Sequence, residues 1–275
     1  MRKILLSLSI FFLFSNVDAQ LLSWTPQFSN DHSTVVITMD AAKGNQGLLN
    51  YTGTVYMHLG IITNLSTSAT DWRYVPTTWA TTTAPVATAL GSNKWSYTIT
   101  DPRTYFNAAA GGIPAGETIL KIALLFRDAA GNKVQKNADG TDMFIPIYAA
   151  GSNHIQFTNP LIVPTSTLSH EGVTTATGQS ITATAVASTT AGTLNLYFNE
   201  TKIAGPLTAT AIISAYPDIT STGNQQIISE LITGGVSYYD TVKFYVTPVN
   251  VIAPLPVGAA EGINYGSNCT SAILV

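Results

Sequence analysis

The sequence predicts an all-β protein made of two β-sandwich domains in tandem. Three observations carry that expectation. Short runs of β-branched and aromatic residues recur along the chain, each bounded by Gly, Asn, Asp or Pro. No stretch keeps an apolar 3.6-residue period with caps over three turns. Turn signals return at intervals of about 8–12 residues, the rhythm of a sandwich.

Taken in order, the chain opens with "MRKILLSLSIFFLFSNVDAQ". Arg2 and Lys3 form a positive n-region, Ile4 to Phe14 an apolar h-region, and Val17-Asp18-Ala19 a small-residue cleavage site. Residues 1–19 therefore read as a secretory signal peptide, which implies a secreted or cell-surface protein. No later segment has 18 uninterrupted apolar residues, so no membrane span is expected.

The first domain, 20–150, holds "STVVITM", "GTVYMHLG", "DWRYV", "NKWSYTIT", "ETILKIALLF" and "DMFIPIY" as strands. Period two puts Trp95, Tyr97 and Ile99 on one face, and Leu120, Ile122, Leu124 and Phe126 on another. "RDAAGNKVQ" reads as a hairpin turn around Gly131-Asn132, and "DPRTYFNAAAGG" allows one short helical turn. "YAAGSN" links to the second domain, 151–249, whose strands are "QSITATAVAS", "GTLNLYFN", "TATAIISA", "QQIISELIT" and "DTVKFYVTP". Asn199-Glu200 forms a tight hairpin there, and the spacing fits a seven-strand immunoglobulin-like sandwich. Residues 250–260, "NVIAPLPVGAA", read as a Pro-rich, semi-rigid linker. Residues 261–275 end in mid-strand at "SAILV", as the first strand of a truncated third β domain would.

Composition narrows the function. Apolar content is 45% and only 10% of residues are charged, against a typical ~25%, so the chain folds and carries little charge. Net charge is −3, with no basic stripe, which argues against nucleic acid or an anionic membrane as partner. The single cysteine, Cys269, rules out an intrachain disulfide and a Cys-based metal site. HExxH, G-x-S-x-G and phosphate-cradling motifs are absent, and no carboxylate pair stands out, so no catalytic residue is assigned and no complete active site is expected. Asp128, Asn132, Asp139 and Asp142 invite a calcium reading, but their spacing does not match a calcium loop and such residues are expected in hairpin turns; no cofactor is assigned.

The aromatic residues are distributed unevenly. Trp24, Trp72, Trp79 and Trp95 all fall in the first domain. In "VYMHLG", Val55, Met57 and Leu59 share the core face, which leaves Tyr56 and His58 on the outer one. Trp72 follows the polar loop "TNLSTSAT", where a ring stays partly exposed. Sugar rings have apolar C–H faces that stack on aromatic planes and hydroxyls that need fixed polar partners. The same residues also fit plain packing, with Tyr56 under a loop and Trp72 plugging a sandwich end.

"VYMHLG", the loop to "DWRYV", "NKWSYTIT" and "IPAGETILKIALLFRDAAGNKVQKNADGTDMFIPI" together resemble the starch-binding modules of carbohydrate-binding families 25 and 26. The resemblance implies that Tyr56, His58 and Trp72 contact α-glucan and that Asn137 adds a polar contact. Val134 stands where those modules carry a hairpin tryptophan. The whole of 20–275 is similar to the N-terminal region of secreted bacterial α-amylase-type enzymes of glycoside hydrolase family 13. That similarity implies a non-catalytic accessory region, with a covalently linked catalytic barrel beyond residue 275. The competing reading is a structural spacer or adhesive surface protein without a carbohydrate site.

Overall fold

The computed structural model describes residues 21–108, 111–159, 174–178 and 180–247. The expected signal peptide (1–19), Pro-rich linker (250–260) and start of a third domain (261–275) lie outside the described residues.

Sixteen strands and one short helix are present in this part of the chain. In the first domain the strands are β1 (Leu22–Thr25), β2 (Thr34–Asp40), β3 (Tyr56–Thr63), β4 (Thr88–Gly91), β5 (Lys94–Thr100), β6 (Ile119–Arg127), β7 (Val134–Gln135) and β8 (Met143–Pro146). One sheet runs β1-β2-β5-β4; the other pairs β3 with β6, and β6 with both β7 and β8, all antiparallel. Between the sheets lie Val35, Ile37 and Met39 of β2, Met57, Leu59 and Ile61 of β3, Trp95 and Ile99 of β5, and Ile122, Leu124 and Phe126 of β6. The alternation read in the sequence is thus the inward face of each strand. The helix α1 (Pro102–Asn107) is a single turn and a half, started by Asp101, whose carboxylate accepts the Thr104 N–H, with proline in its first turn.

Two local expectations fail. Leu120 is exposed, unlike Ile122, Leu124 and Phe126, because the pairing of β3 with β6 slips at Ile62/Thr63 and turns Ile119 inward in its place. "DWRYV" is not a strand of its own; it makes one bridge, Ile61 with Arg73, on the free edge of β3.

The second domain contains β9 (Ile155–Asn159), β10 (Thr174–Ala176), β11 (Ala183–Ala187), β12 (Thr193–Phe198), β13 (Thr201–Thr208), β14 (Ile212–Ala215), β15 (Gly223–Thr233) and β16 (Val236–Thr247). They form a five-stranded sheet, β10-β16-β15-β12-β13, against a three-stranded one, β14-β11-β9. That is eight strands among the described residues, one more than the seven expected. β10 pairs parallel to β16, while β9 joins the opposite sheet. With β12, β15 and β16 in one sheet and β9, β11 and β14 in the other, the order is that of an immunoglobulin-like sandwich. Its core, from Ile155 to Val246, shares no residue with the core of the first domain. Asn199-Glu200 is the predicted two-residue hairpin, with Phe198 opposite Thr201. Among the described residues no helix is long and apolar enough to cross a membrane.

Candidate functional site

The connection between β3 and β4, residues 64–87, determines what the outer face of β3 looks like. It runs antiparallel along the free edge of β3, touching it at Ile61–Arg73 and at Tyr56–Val86. Just before the first bridge it carries Trp72, and between the two it leaves the edge and carries Trp79; both rings meet His58 on the outer face of β3. A buried carboxylate pins its start: Glu117 accepts Thr63 Oγ1 at 2.6 Å and Tyr74 Oη at 2.5 Å, and lies 3.0 Å from Arg73 Nε. Burial pushes the Glu117 carboxyl up, but the Thr63 and Tyr74 hydroxyls and the charges of Arg73 and Arg103 outweigh it and hold it below its ordinary value. Gly60 makes room for the loop. A Cβ at that position would stand 3.2 Å from the Trp72 side chain and 3.0 Å from Val75.

The outcome is a ring cluster. The His58 imidazole stacks on Trp72 at 5.6 Å between centroids, with planes 25° apart, and meets the edge of Trp79 at 5.0 Å. The Arg127 guanidinium lies 5.6 Å from the Tyr56 ring and 5.4 Å from Trp79. Arg127 is fully buried; its Nη atoms donate to the carbonyls of Asp128, Ala129 and Thr81, so it clamps the loop and the hairpin turn together. Burial, then the nearby Arg127 charge, holds His58 below its ordinary value, and it stays neutral at pH 7. Tyr56, His58 and Trp72 are each half-buried, and Trp79 is 44% exposed.

The structure therefore brings together Tyr56, His58 and Trp72. Asn137 lies elsewhere. It is buried, and its amide donates to Thr141 Oγ1 and the Asp142 carbonyl inside its own turn. It lines a different cavity, of about 460 Å³, between the two domains beside Trp24, Tyr148 and Phe157. Trp79 and Arg127 are the cluster members that sequence reasoning missed. A signal for Arg127 was available: it lies on the same face of β6 as Leu125, and register places it directly opposite Tyr56.

The acids of the hairpin are engaged in turns. Asp128 Oδ1 accepts the N–H groups of Asn132 and Lys133, Asp139 accepts from Thr141, and Asp142 from Lys136. Among the described residues no group of three His, Cys, Asp or Glu side chains could hold a metal.

Four buried side-chain polar atoms have no hydrogen-bond partner within the described protein: His58 Nδ1, Trp72 Nε1, Thr77 Oγ1 and Arg127 Nε. Each belongs to this cluster or its loop. An unpaired buried group costs about 1–3 kcal/mol. Their concentration in one place marks the part of the domain least optimised for stability alone.

No protein-family model and no curated protein sequence matches this chain. Solved structures with some likeness include immunoglobulin- and fibronectin-III-like β-sandwich domains. The fibronectin(III)-like modules of Clostridium thermocellum CbhA align over 82% of this chain and 94% of theirs, at 12% identity and a TM-score of 0.27. The titin domains Z1Z2, solved in complex with telethonin, align over 83% and 98%, at 10% identity and 0.25. SGBP-B of a Bacteroides ovatus mixed-linkage glucan utilization locus, solved with a mixed-linkage heptasaccharide, aligns over 86% and 47%, at 6% identity and 0.23.

Proposed function

We propose that the first domain binds a neutral glycan, an α-glucan, on the cluster of Tyr56, His58, Trp72 and Trp79. In the same reading the chain is the exported, non-catalytic N-terminal region of a glucan-degrading glycoside hydrolase whose catalytic domain is covalently linked beyond residue 275. The α-glucan and the hydrolase rest on the sequence resemblance alone, and the export on the signal-peptide pattern of residues 1–19.

One observation supports the binding role above the others. Every unpaired buried polar side-chain atom among the described residues belongs to the loop and sheet face that hold these rings. A loop pinned by Glu117 and clamped by Arg127 presents Trp79 as a rigid, exposed face beside a neutral imidazole, which suits a ligand with C–H faces and hydroxyls. Affinity at one such platform is weak, because one or two stacked rings must offset the ordering of ligand and side chains. Its use is to raise the effective substrate concentration at a tethered catalytic domain.

The spacer reading draws on the half-burial of His58 and Trp72, which stack on each other. Native gel electrophoresis with soluble starch in the gel separates the two. Glycan binding retards the chain, and Trp79→Ala abolishes the retardation while moving the melting temperature by only a few degrees. A wild-type chain that runs at its starch-free mobility is a spacer.

A further inference from the structure

We propose that the second domain closes an intramolecular isopeptide bond between Lys202 Nζ and Asn195 Cγ, with Glu230 carrying the proton. Lys202 lies on β13 directly opposite Tyr197 of β12, across the Asn199-Glu200 hairpin. Its Nζ donates to Asn195 Oδ1 at 2.9 Å and stands over the Tyr197 ring at 5.6 Å, so the amine faces a neutral amide rather than a carboxylate. A C=O bond adds about 1.2 Å, which puts the amine no more than about 4.1 Å from the amide carbon. Reacting atoms need to stand about 3–3.5 Å apart, a gap that a turn of the lysine side chain closes.

The acceptor is held for this approach. Asn195 is buried, at 2% exposure, although its neighbours Leu194 and Leu196 take the core face of β12. The register of β12 with β13 slips between Leu194 and Leu196, so Asn195 has no paired residue on β13. Such a bulge re-aims a side chain. Gly205 stands there with a φ of +94°, and a Cβ on it would come within 2.9 Å of Asn195 Oδ1. Glycine leaves the room that the amide occupies.

Glu230 of β15 holds the other end of that amide. Its Oε2 accepts Asn195 Nδ2 at 2.9 Å and Tyr197 Oη at 2.8 Å, and its Oε1 accepts Ser237 Oγ at 3.0 Å and Tyr239 Oη at 2.8 Å. Burial pushes the Glu230 carboxyl up, but these donors outweigh it and hold it below its ordinary value, so at pH 7 it is an anion that can take a proton. The attacking amine and the leaving nitrogen are thus gathered around one carbon, with a carboxylate already on the leaving nitrogen.

The step balances without an oxidant or a co-reactant. Lys202 is exposed and loses its extra proton to water. The neutral Nζ gives its lone pair to Asn195 Cγ, and the C=O π pair moves onto Oδ1. In this adduct Nζ and Nδ2 share one carbon, which brings both within reach of Oε2. Glu230 takes a proton from Nζ and returns it to Nδ2. The C=O bond re-forms as the Cγ–Nδ2 bond breaks, and ammonia leaves. An amine and a carboxamide have become a secondary amide and ammonia, and edge strand β13 is covalently tied to β12.

The test uses the full chain, incubated folded at pH 7 and pH 9. Glu200 is the one glutamate between Asn195 and Lys202, so a protease that cuts after glutamate separates 172–200 from 201–230 unless the new bond joins them. Mass spectrometry should find the two pieces joined and lighter by one ammonia than their sum. That product cannot be mistaken for ammonia lost elsewhere in the chain. Only the neutral amine attacks, so joining should be at least tenfold faster at pH 9. Lys202→Arg, which keeps a donor to Asn195 but has no primary amine, should give no joined product. A positioned proton carrier contributes about 10²–10⁴-fold, so Glu230→Gln should slow joining by at least about a hundredfold. If Glu230→Gln does not fold, Lys202→Arg decides alone. Wild-type pieces that separate after incubation at pH 9 overturn the proposal. So does a chain unfolded in urea that joins as fast as the folded one, or a wild-type rate in folded Glu230→Gln.

Discussion

Replacing Glu117 with alanine tests whether one buried carboxylate holds the ring-bearing loop in place. Its side chain is almost fully buried and receives Thr63 Oγ1, Tyr74 Oη and Arg73 Nε, each within 3.0 Å. Hydrogen bonds to a charged group are worth about 1.5–3 kcal/mol each. Three that share one acceptor do not add independently. The better guide is the loss of one partner from a buried ion pair, about 3–5 kcal/mol. For a domain of about 130 residues the unfolding entropy converts that into a fall of roughly 10–20 °C in melting temperature. The second domain shares no core residue with the first, so its own transition should stay where it is. Differential scanning calorimetry reads both transitions, and hydrogen exchange of residues 71–80 reads the loop. A first-domain shift below about 3 °C, or exchange in the loop unchanged, would refute the claim that Glu117 anchors it.

Acid should weaken both domains. The carboxyls of Glu117 and Glu230 are pushed up by burial but held below the ordinary value by their donors, the latter by Tyr197, Tyr239, Asn195 and Ser237. The unfolded chain therefore takes up these protons first, near pH 4.3, so the stabilisation is complete above that pH and is lost as pH falls through the lower folded values. Melts between pH 3 and 7 should show this slope, and Glu117→Gln should flatten it for the first domain. His58 is depressed by burial and by Arg127, so its contribution is full above about 6.5 and declines as pH falls below that value. Starch retention should be level above pH 7 and drop in acid, and His58→Gln should remove the pH dependence. Gly131→Ala should dislodge Trp79, since the new Cβ would stand 2.6 Å from Trp79 Nε1 at a φ of +73°; strain of about 1–2 kcal/mol and a changed tryptophan emission spectrum are expected.

Period two made the core legible. The inward sets of β2, β3 and β5 could be read from alternation, and so could the outward placement of Tyr56 and His58. Alternation fails wherever the register slips, which is why Leu120 was assigned to the wrong side. Trp79 was illegible for another reason. It sits in "TTWATTTAPVATA", which has no period, and its place is set by Arg127 and Gly131, both more than 40 residues away. Arg127 looked like an ordinary charge at the mouth of a turn. Nothing local announces that three backbone carbonyls will fold around it. Asn137 has the residue type of a sugar contact, yet a turn of its own takes both its amide hydrogens. In the second domain the strands were legible, whereas the convergence of two tyrosines on Glu230 depends on cross-strand register, which no single strand encodes.

The 64–87 connection places two of the four ring residues but contributes only Ala87 to the buried cluster between the sheets. On the proposed reading, binding preference and foldability are therefore written in different parts of the chain. The loop can lengthen, shorten or trade its indoles for other groups while the layers beneath keep their shape, provided the Glu117 and Arg127 moorings survive. On that reading, a change of ligand would need the exchange of that single cassette and no other part of the domain.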